Sequence, residues 1–189
     1  MGALETLQRR KLSVSDFHRM GEAGILGEDD RIELIEGEMI EMAPIGARHL
    51  SKVNRITRML IAAVGDAGIV SIQNPIVLLP RSEPQPDITV LRPRADEYER
   101  SVPAASDVLL VVEVADTTLR YDRDIKIPLY ARHGIPEVWL VDLQNDCVIV
   151  HRGSSPEGYR DVVTAGRNAV ISPLSLPNVQ LDLAEPWRT

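Results

Sequence analysis

Residues 108–115 read VLLVVEVA, an apolar run that is interrupted by one carboxylate, Glu113. Valine-rich runs of this length are typical of buried β-strands. A second acid, Asp87, opens another β-branched run within QPDITVL at residues 85–91. A carboxylate in a buried sheet is unfavourable unless it is paired, protonated or bound to a metal ion. These two acids are therefore the first candidates for a functional site.

Strand geometry predicts where the two acids lie relative to each other. Side chains alternate along a strand, so Val111, Glu113 and Ala115 share one face. Asp87 opens its strand and Glu113 lies near the end of its own, so antiparallel neighbours would bring both carboxylates to one edge. Mg²⁺ commonly takes one or two protein carboxylates and completes its shell with water and phosphate oxygens. The alternative, that each acid faces solvent or pairs with an arginine, stays open.

Composition narrows the class of protein. A chain of 189 residues with 44% apolar and 26% charged residues is expected to form one globular domain over 1–189. No apolar run approaches the roughly 20 residues that span a bilayer, so no membrane role is expected. The first 17 residues lack the apolar core of a secretory signal, and the lone Cys147 cannot form an internal disulfide. A cytoplasmic protein is the resulting expectation.

The remaining patterns predict an α/β fold. A short helix is expected at residues 13–26, a hairpin at 31–42 and an amphipathic helix at 47–64. The apolar face of that helix is predicted to carry Leu50, Val53, Thr57, Leu60, Ile61 and Val64, and a basic stripe carries Arg48, Lys52 and Arg55. Strands are predicted at 69–79, 87–91, 108–115, 137–142 and 147–152, with a helix at about 124–133. The expected architecture is a mixed sheet flanked by helices, followed by a C-terminal β segment.

Lys126 is the third candidate. The chain has three lysines among 21 basic residues. A lysine in the helix after the Glu113 strand is therefore less expected here than in a chain that is rich in lysine. A lysine beside a metal can orient the attacking water, whereas an arginine stays charged and acts mainly as a phosphate clamp. The alternative is a surface lysine that pairs with Asp122 or Asp124 and contributes little to stability.

Several blocks together resemble the PD-(D/E)XK nuclease superfamily, and most closely its Uma2 family of restriction-endonuclease-like proteins. The resemblance rests on IELIEGEMIEM at 32–42, on His49 at the start of the long helix, and on QPDITVL at 85–91. It rests above all on LLVVEVAD at 109–116 and DIKIPLYARHGIPEVWLVD at 124–142, at their mutual spacing. The resemblance implies a restriction-endonuclease-like fold across nearly the whole chain.

It also implies roles for five residues. Asp87 and Glu113 would be metal ligands for Mg²⁺ or Mn²⁺, and Lys126 would be catalytic. Glu33 and His49 are weaker catalytic candidates: Glu33 faces away from its apolar neighbours, which predicts a solvated strand face, and His49 could instead cap its helix.

Two positions depart from the superfamily pattern. That pattern places its lysine two residues after the acid, where this chain has Ala115. The Uma2 family similarly lacks this lysine and supplies one from the next helix, here Lys126. Pro128 follows closely, and proline is tolerated only near a helix start. Either the helix begins late, or Lys126 lies on an irregular first turn.

The implied activity is metal-dependent hydrolysis of DNA phosphodiester bonds. Double-stranded DNA is the expected substrate, because seven aromatic residues are too few for a single-strand stacking platform. A net charge of −7 argues against bulk electrostatic coating of nucleic acid. A homodimer is suggested by analogy, since two sites related by a twofold axis can cut both strands. The alternatives are hydrolysis of another phosphoester, or a degenerate nuclease-fold module that binds nucleic acid or protein without cleavage.

Overall fold

A computed structural model describes residues 9–27 and 29–188. The described residues group into two compact units, of which the smaller comprises those up to Ala43 together with Val77–Pro84. The larger comprises Pro44–Ile76 and the described residues from Gln85 onward. The prediction that there is no secretory signal rests in part on residues 1–8, which lie outside the described residues. The prediction of one domain over 1–189 stays a prediction. Among the described residues, no helix has the length and apolar character that a membrane crossing needs.

The smaller unit contains the predicted N-terminal helix, which ends at Glu22 and not at residue 26, and the predicted hairpin. Helix α1 spans Val14–Glu22 and begins with a capping box, in which the Ser13 hydroxyl accepts from the Asp16 amide at 3.1 Å. Strands β1 (Ile32–Ile35) and β2 (Glu38–Glu41) pair antiparallel around a two-residue turn. Capping and turn chemistry are local signals, which is why the sequence predicts this unit well.

Gly37 in the hairpin turn gives a stability prediction. Its φ is +80°, and a Cβ there would lie 2.7 Å from Lys11 Cβ and 2.8 Å from the Leu12 carbonyl oxygen. Gly37→Ala is therefore expected to lower the free energy of unfolding by more than about 1 kcal/mol, measured by urea denaturation. Gly24→Ala is the matched control, because Gly24 has φ +69° but no described atom within 4 Å of the added methyl. Equal losses in both variants would contradict the steric argument.

The larger unit is built on a mixed six-stranded sheet in the order β3-β4-β5-β6-β7-β8. The strands are β3 (Ile69–Ile72), β4 (Ile88–Leu91), β5 (Val108–Ala115), β6 (Glu137–Asp142), β7 (Cys147–Ser155) and β8 (Gly158–Gly166). Strands β5 and β6 are parallel and the other neighbours are antiparallel. All residues of β5 and β6 are buried, as expected for central strands covered on both faces. A two-stranded ribbon of β9 (Val170–Ile171) and β10 (Leu181–Asp182) follows. The predicted mixed sheet is confirmed.

Helices flank this sheet. Helix α2 spans Ala47–Val64, as predicted, and packs Val53, Ile56 and Leu60 into the main core with strand residues such as Val112. A second helical segment joins β5 to β6 and consists of α3 (Leu119–Tyr121), a π-helical turn (Asp122–Lys126) and α4 (Ile127–Arg132). Short 3₁₀ turns occupy Gly65–Ala67 and Ala105–Asp107, and α5 spans Ala184–Trp187.

Three further details of the sequence prediction were wrong. The strand predicted at 69–79 ends at Ile72, because Gln73 adopts a left-handed backbone (φ 51°) and Pro75 follows. The helix predicted at about 124–133 begins at residue 119, since the π turn extends the helical backbone ahead of Pro128. Leu50 and Ile61 were predicted on the apolar face of α2, but they lie at the edge of that face and are 51% and 54% exposed.

Candidate functional site

Strands β4 and β5 bring the two acids together. Ile88 lies opposite Val112 in this antiparallel pair, so Asp87 and Glu113 occupy the next positions of the register. The Asp87 amide donates to Glu113 Oε2 at 3.4 Å, and the Val114 amide donates to Asp87 Oδ2 at 2.8 Å. The antiparallel pairing that the strand argument required is present. The acids therefore lie side by side at the end of β5.

Glu113 is the more deeply buried of the two, with 3% of its side chain exposed. Burial raises its pKa to about 8, because removal from water disfavours the charged carboxylate. The Lys126 ammonium and the Tyr130 hydroxyl lower this pKa, whereas Asp122 and Asp87 raise it further. A further positive charge at the site would favour the ionised form.

The π turn carries Lys126 to Glu113. Its Nζ lies 3.0 Å from Glu113 Oε1, and 6% of its side chain is exposed, so the surface-lysine alternative is wrong. Within the turn, the Ile127 amide donates to the Asp122 carbonyl five residues earlier. Of the two interpretations of Pro128, the irregular turn is the one observed: Pro128 lies in the first turn of α4, where its missing amide proton breaks few helical hydrogen bonds.

Sequence reasoning missed two buried residues of this site. The Tyr130 hydroxyl donates to Glu113 Oε1 at 2.6 Å. Asp122 accepts from the Thr118 hydroxyl at 2.7 Å, and its charge acts on both Glu113 and His49. Asp122, Lys126 and Tyr130 are four residues apart in sequence, the spacing of one helical face. That spacing, within a block already singled out, could have identified them.

His49, in the first turn of α2, contacts Asp87. Its Nε2 lies 3.0 Å from Asp87 Oδ2, with 17% and 15% of the two side chains exposed. The hydrogen bond with Asp87 raises the pKa of His49, and burial opposes this shift. Its Nδ1 is buried and has no hydrogen-bond partner among the described residues. His49 therefore supports Asp87 directly, while its catalytic role stays a prediction.

Glu33 belongs to the smaller unit and is 2% exposed, so the predicted solvated strand face was wrong. Glu33, Leu34 and Ile35 are all buried, because both faces of β1 are covered. A catalytic role for Glu33 stays a prediction.

The basic stripe of α2 is largely occupied by contacts within the larger unit. Arg48 donates to the Leu143 carbonyl and pairs with Asp116 at 3.4 Å. Lys52 donates to the Pro186 carbonyl at 2.7 Å and lies 4.8 Å from the centre of the Trp187 ring. These two cations therefore stabilise the fold, which weakens the case for the stripe as a phosphate contact.

The donor set at Asp87 and Glu113 suits a hard divalent cation. Among the described residues, no group of three or more His, Cys, Asp or Glu side chains is arranged to hold a metal ion. Mg²⁺ needs fewer protein ligands, because it usually retains several water molecules. Both acids offer carboxylate oxygens, and neighbouring donors fix the orientation of each. Two fixed carboxylates therefore fit such an ion.

Comparison with known proteins supports this fold. A solved structure from Anabaena variabilis ATCC 29413, described as a "putative nuclease belonging to DUF820", superposes with a TM-score of 0.69. It is 16% identical in sequence, and the match covers 93% of this chain and 97% of the other. No curated protein matches this chain. A family described as "Putative restriction endonuclease" matches residues 14–184, and the chain therefore belongs to the Uma2 family.

Proposed function

We propose that this protein is a divalent-metal-dependent endonuclease that hydrolyses DNA phosphodiester bonds. The position of Lys126 carries the proposal, because its ammonium lies 3.0 Å from a carboxylate oxygen of Glu113 although it comes from a different element. Burying a lysine beside an acid is costly for stability alone, and strongly perturbed groups cluster at functional sites. Membership of a nuclease family supports nucleic acid as the substrate.

Each residue has a distinct role in this proposal. Asp87 and Glu113 bind Mg²⁺ or Mn²⁺, and Lys126 orients the attacking water and offsets negative charge that develops on the phosphate. His49 holds Asp87 in place. A bound divalent cation supplies Lewis-acid polarisation of the phosphate and a water of lowered pKa. Double-stranded DNA is the proposed substrate and a homodimer the proposed assembly, on the grounds given by the sequence.

A second candidate is a nuclease-fold module that binds nucleic acid or protein without cutting. One observation favours it: Ala115 occupies the superfamily's lysine position and is fully buried. A cleavage assay distinguishes the candidates, in which supercoiled and linear DNA are incubated with the protein and Mg²⁺ or Mn²⁺. Nicking or linearisation that EDTA abolishes supports the endonuclease, whereas binding without any cleavage supports the module.

Mg²⁺ is expected to raise the melting temperature. A ligand that binds only the folded state stabilises it by about 2.7 kcal/mol at a hundredfold excess over Kd, which shifts Tm by about 5–10 °C for a chain of this size. Differential scanning calorimetry of EDTA-treated protein over a Mg²⁺ series measures this shift. Glu113→Gln is expected to remove it, and Glu157→Gln, at an exposed turn, is expected to retain it. A wild-type Tm that is independent of both Mg²⁺ and Mn²⁺ would refute a metal site.

A further inference from the structure

The two oxygens of Glu113 have different surroundings. Oε1 lies 3.0 Å from the Lys126 Nζ and accepts the Tyr130 hydroxyl at 2.6 Å. Oε2 has, within the described part of the chain, one donor in range, the Asp87 amide at 3.4 Å. Because the Tyr130 hydroxyl donates to Oε1 and the Lys126 ammonium pairs with it, that oxygen has little capacity left for a cation. Oε2 is the oxygen that remains available.

Asp87 shows the same division. Its Oδ2 accepts the Val114 amide at 2.8 Å and lies 3.0 Å from His49 Nε2. Among residues 9–27 and 29–188, no donor is within hydrogen-bond range of its Oδ1. Each acid therefore has one oxygen tied to the protein and one oxygen available. A cation held by both carboxylates would therefore have one oxygen of each available to it.

We propose that Tyr130 is a positioning residue for Glu113. Together with Lys126 it occupies Oε1, so that Oε2 alone contacts the cation. The inference rests on the proposed metal dependence and adds a selectivity to it. Mg²⁺ and Mn²⁺ accept single carboxylate oxygens and complete an octahedral shell with water, whereas Ca²⁺ takes six to eight oxygens and often uses both oxygens of a carboxylate. A Glu113 with Oε1 occupied therefore selects Mg²⁺ and Mn²⁺ over Ca²⁺.

Tyr130→Phe tests this role, because it removes the hydroxyl and keeps the buried ring. Calorimetric titration of Mg²⁺, Mn²⁺ and Ca²⁺ into protein without nucleic acid measures the three affinities. We expect affinity for Mg²⁺ and Mn²⁺ to fall by about 10–100-fold, the usual effect of losing a group that orients a metal ligand. Ca²⁺ affinity is expected to change less, so the ratio of Ca²⁺ to Mg²⁺ dissociation constants falls.

Tyr159→Phe is the matched control, because the Tyr159 hydroxyl donates to the Ile135 carbonyl at 2.8 Å and does not contact Glu113. It is expected to leave both affinity and selectivity unchanged. If Tyr130→Phe does not fold, Lys126→Met removes the ammonium that pairs with Oε1 and is expected to shift the affinity ratio in the same direction.

The outcomes separate this inference from the nuclease proposal. The inference alone would be overturned if Tyr130→Phe had unchanged affinities and an unchanged ratio of dissociation constants. If Lys126→Met has to be used, an unchanged ratio in that variant would overturn it. Wild-type protein that binds Mg²⁺ but cuts no DNA would overturn the nuclease proposal and leave the inference standing. Wild-type protein that binds none of the three ions would overturn both.

Discussion

Lys126→Met is expected to slow Mg²⁺-dependent DNA cleavage by about 10²–10³-fold, the usual effect of removing one group that stabilises transition-state charge. Methionine keeps the length and burial of the side chain but removes the ammonium that lies 3.0 Å from Glu113. Initial rates of conversion of supercoiled to nicked DNA, at saturating Mg²⁺, measure the effect. Lys126→Arg is not expected to restore the rate, because a planar guanidinium does not replace an ammonium at a buried site.

The same substitution has a limited expected effect on stability. Removing one partner of a buried ion pair usually costs about 3–5 kcal/mol. Here we expect a smaller loss, because the pKa of Glu113 is already raised to about 8 and its carboxyl group can take up a proton. Lys52→Met is the control for the cleavage rate, since it removes the same charge from the same unit, and Lys52 contacts Pro186 and Trp187 instead of either acid. Cleavage by Lys126→Met within threefold of wild type would exclude Lys126 from catalysis.

Asp87→Asn is expected to reduce cleavage by about 10³-fold, because a metal ion's polarisation of the phosphate accounts for several kcal/mol of transition-state stabilisation. Asparagine has nearly the same shape as aspartate, and its amide oxygen can still accept the Val114 amide that Asp87 accepts at 2.8 Å. The fold and Tm in EDTA are therefore expected to be preserved. The rate is measured with Mg²⁺ and Mn²⁺ separately.

Asp124→Asn controls for the lost charge, because Asp124 pairs with Arg123 at the surface and does not contact either acid. It is expected to cleave at the wild-type rate. Asp87→Ala is a second test, in which the side chain is removed altogether. Equal cleavage by wild type and both Asp87 variants would remove this site from consideration.

The parts of the fold that sequence predicted well are those set by local chemistry. Helix α2 matches its predicted bounds of 47–64, because an amphipathic pattern runs between Gly46 and Gly65. The Asp87–Glu113 pairing followed from side-chain alternation and one assumption about strand direction. Both arguments need only short stretches of sequence. Local sequence patterns therefore predicted helix α2 and the adjacent positions of the two acids.

The parts that sequence missed depend on tertiary packing. Tyr130 was overlooked, and Asp122 was considered only as a surface partner of Lys126, because a tyrosine and an aspartate in a helix are ordinary until a buried acid lies opposite them. Glu33 was expected at the surface because strand alternation tells which residues share a face and not whether that face is covered. Pro128 left two readings open, since no local rule distinguishes a late helix start from a π turn.

The π turn at Asp122–Lys126 also bears on how this segment tolerates changes in length. It contains one residue more than an α-helical turn would, and each residue of a helix rotates the direction of the following side chains by about 100°. Loss of a single residue there would rotate Thr118 and Asp122 away from the side on which Lys126 and Tyr130 lie. A length change in the exposed Pro156–Glu157 turn would alter the β7–β8 hairpin and leave the directions of these four side chains unchanged. The helical segment that carries Lys126 is therefore constrained in residue number as well as in residue identity.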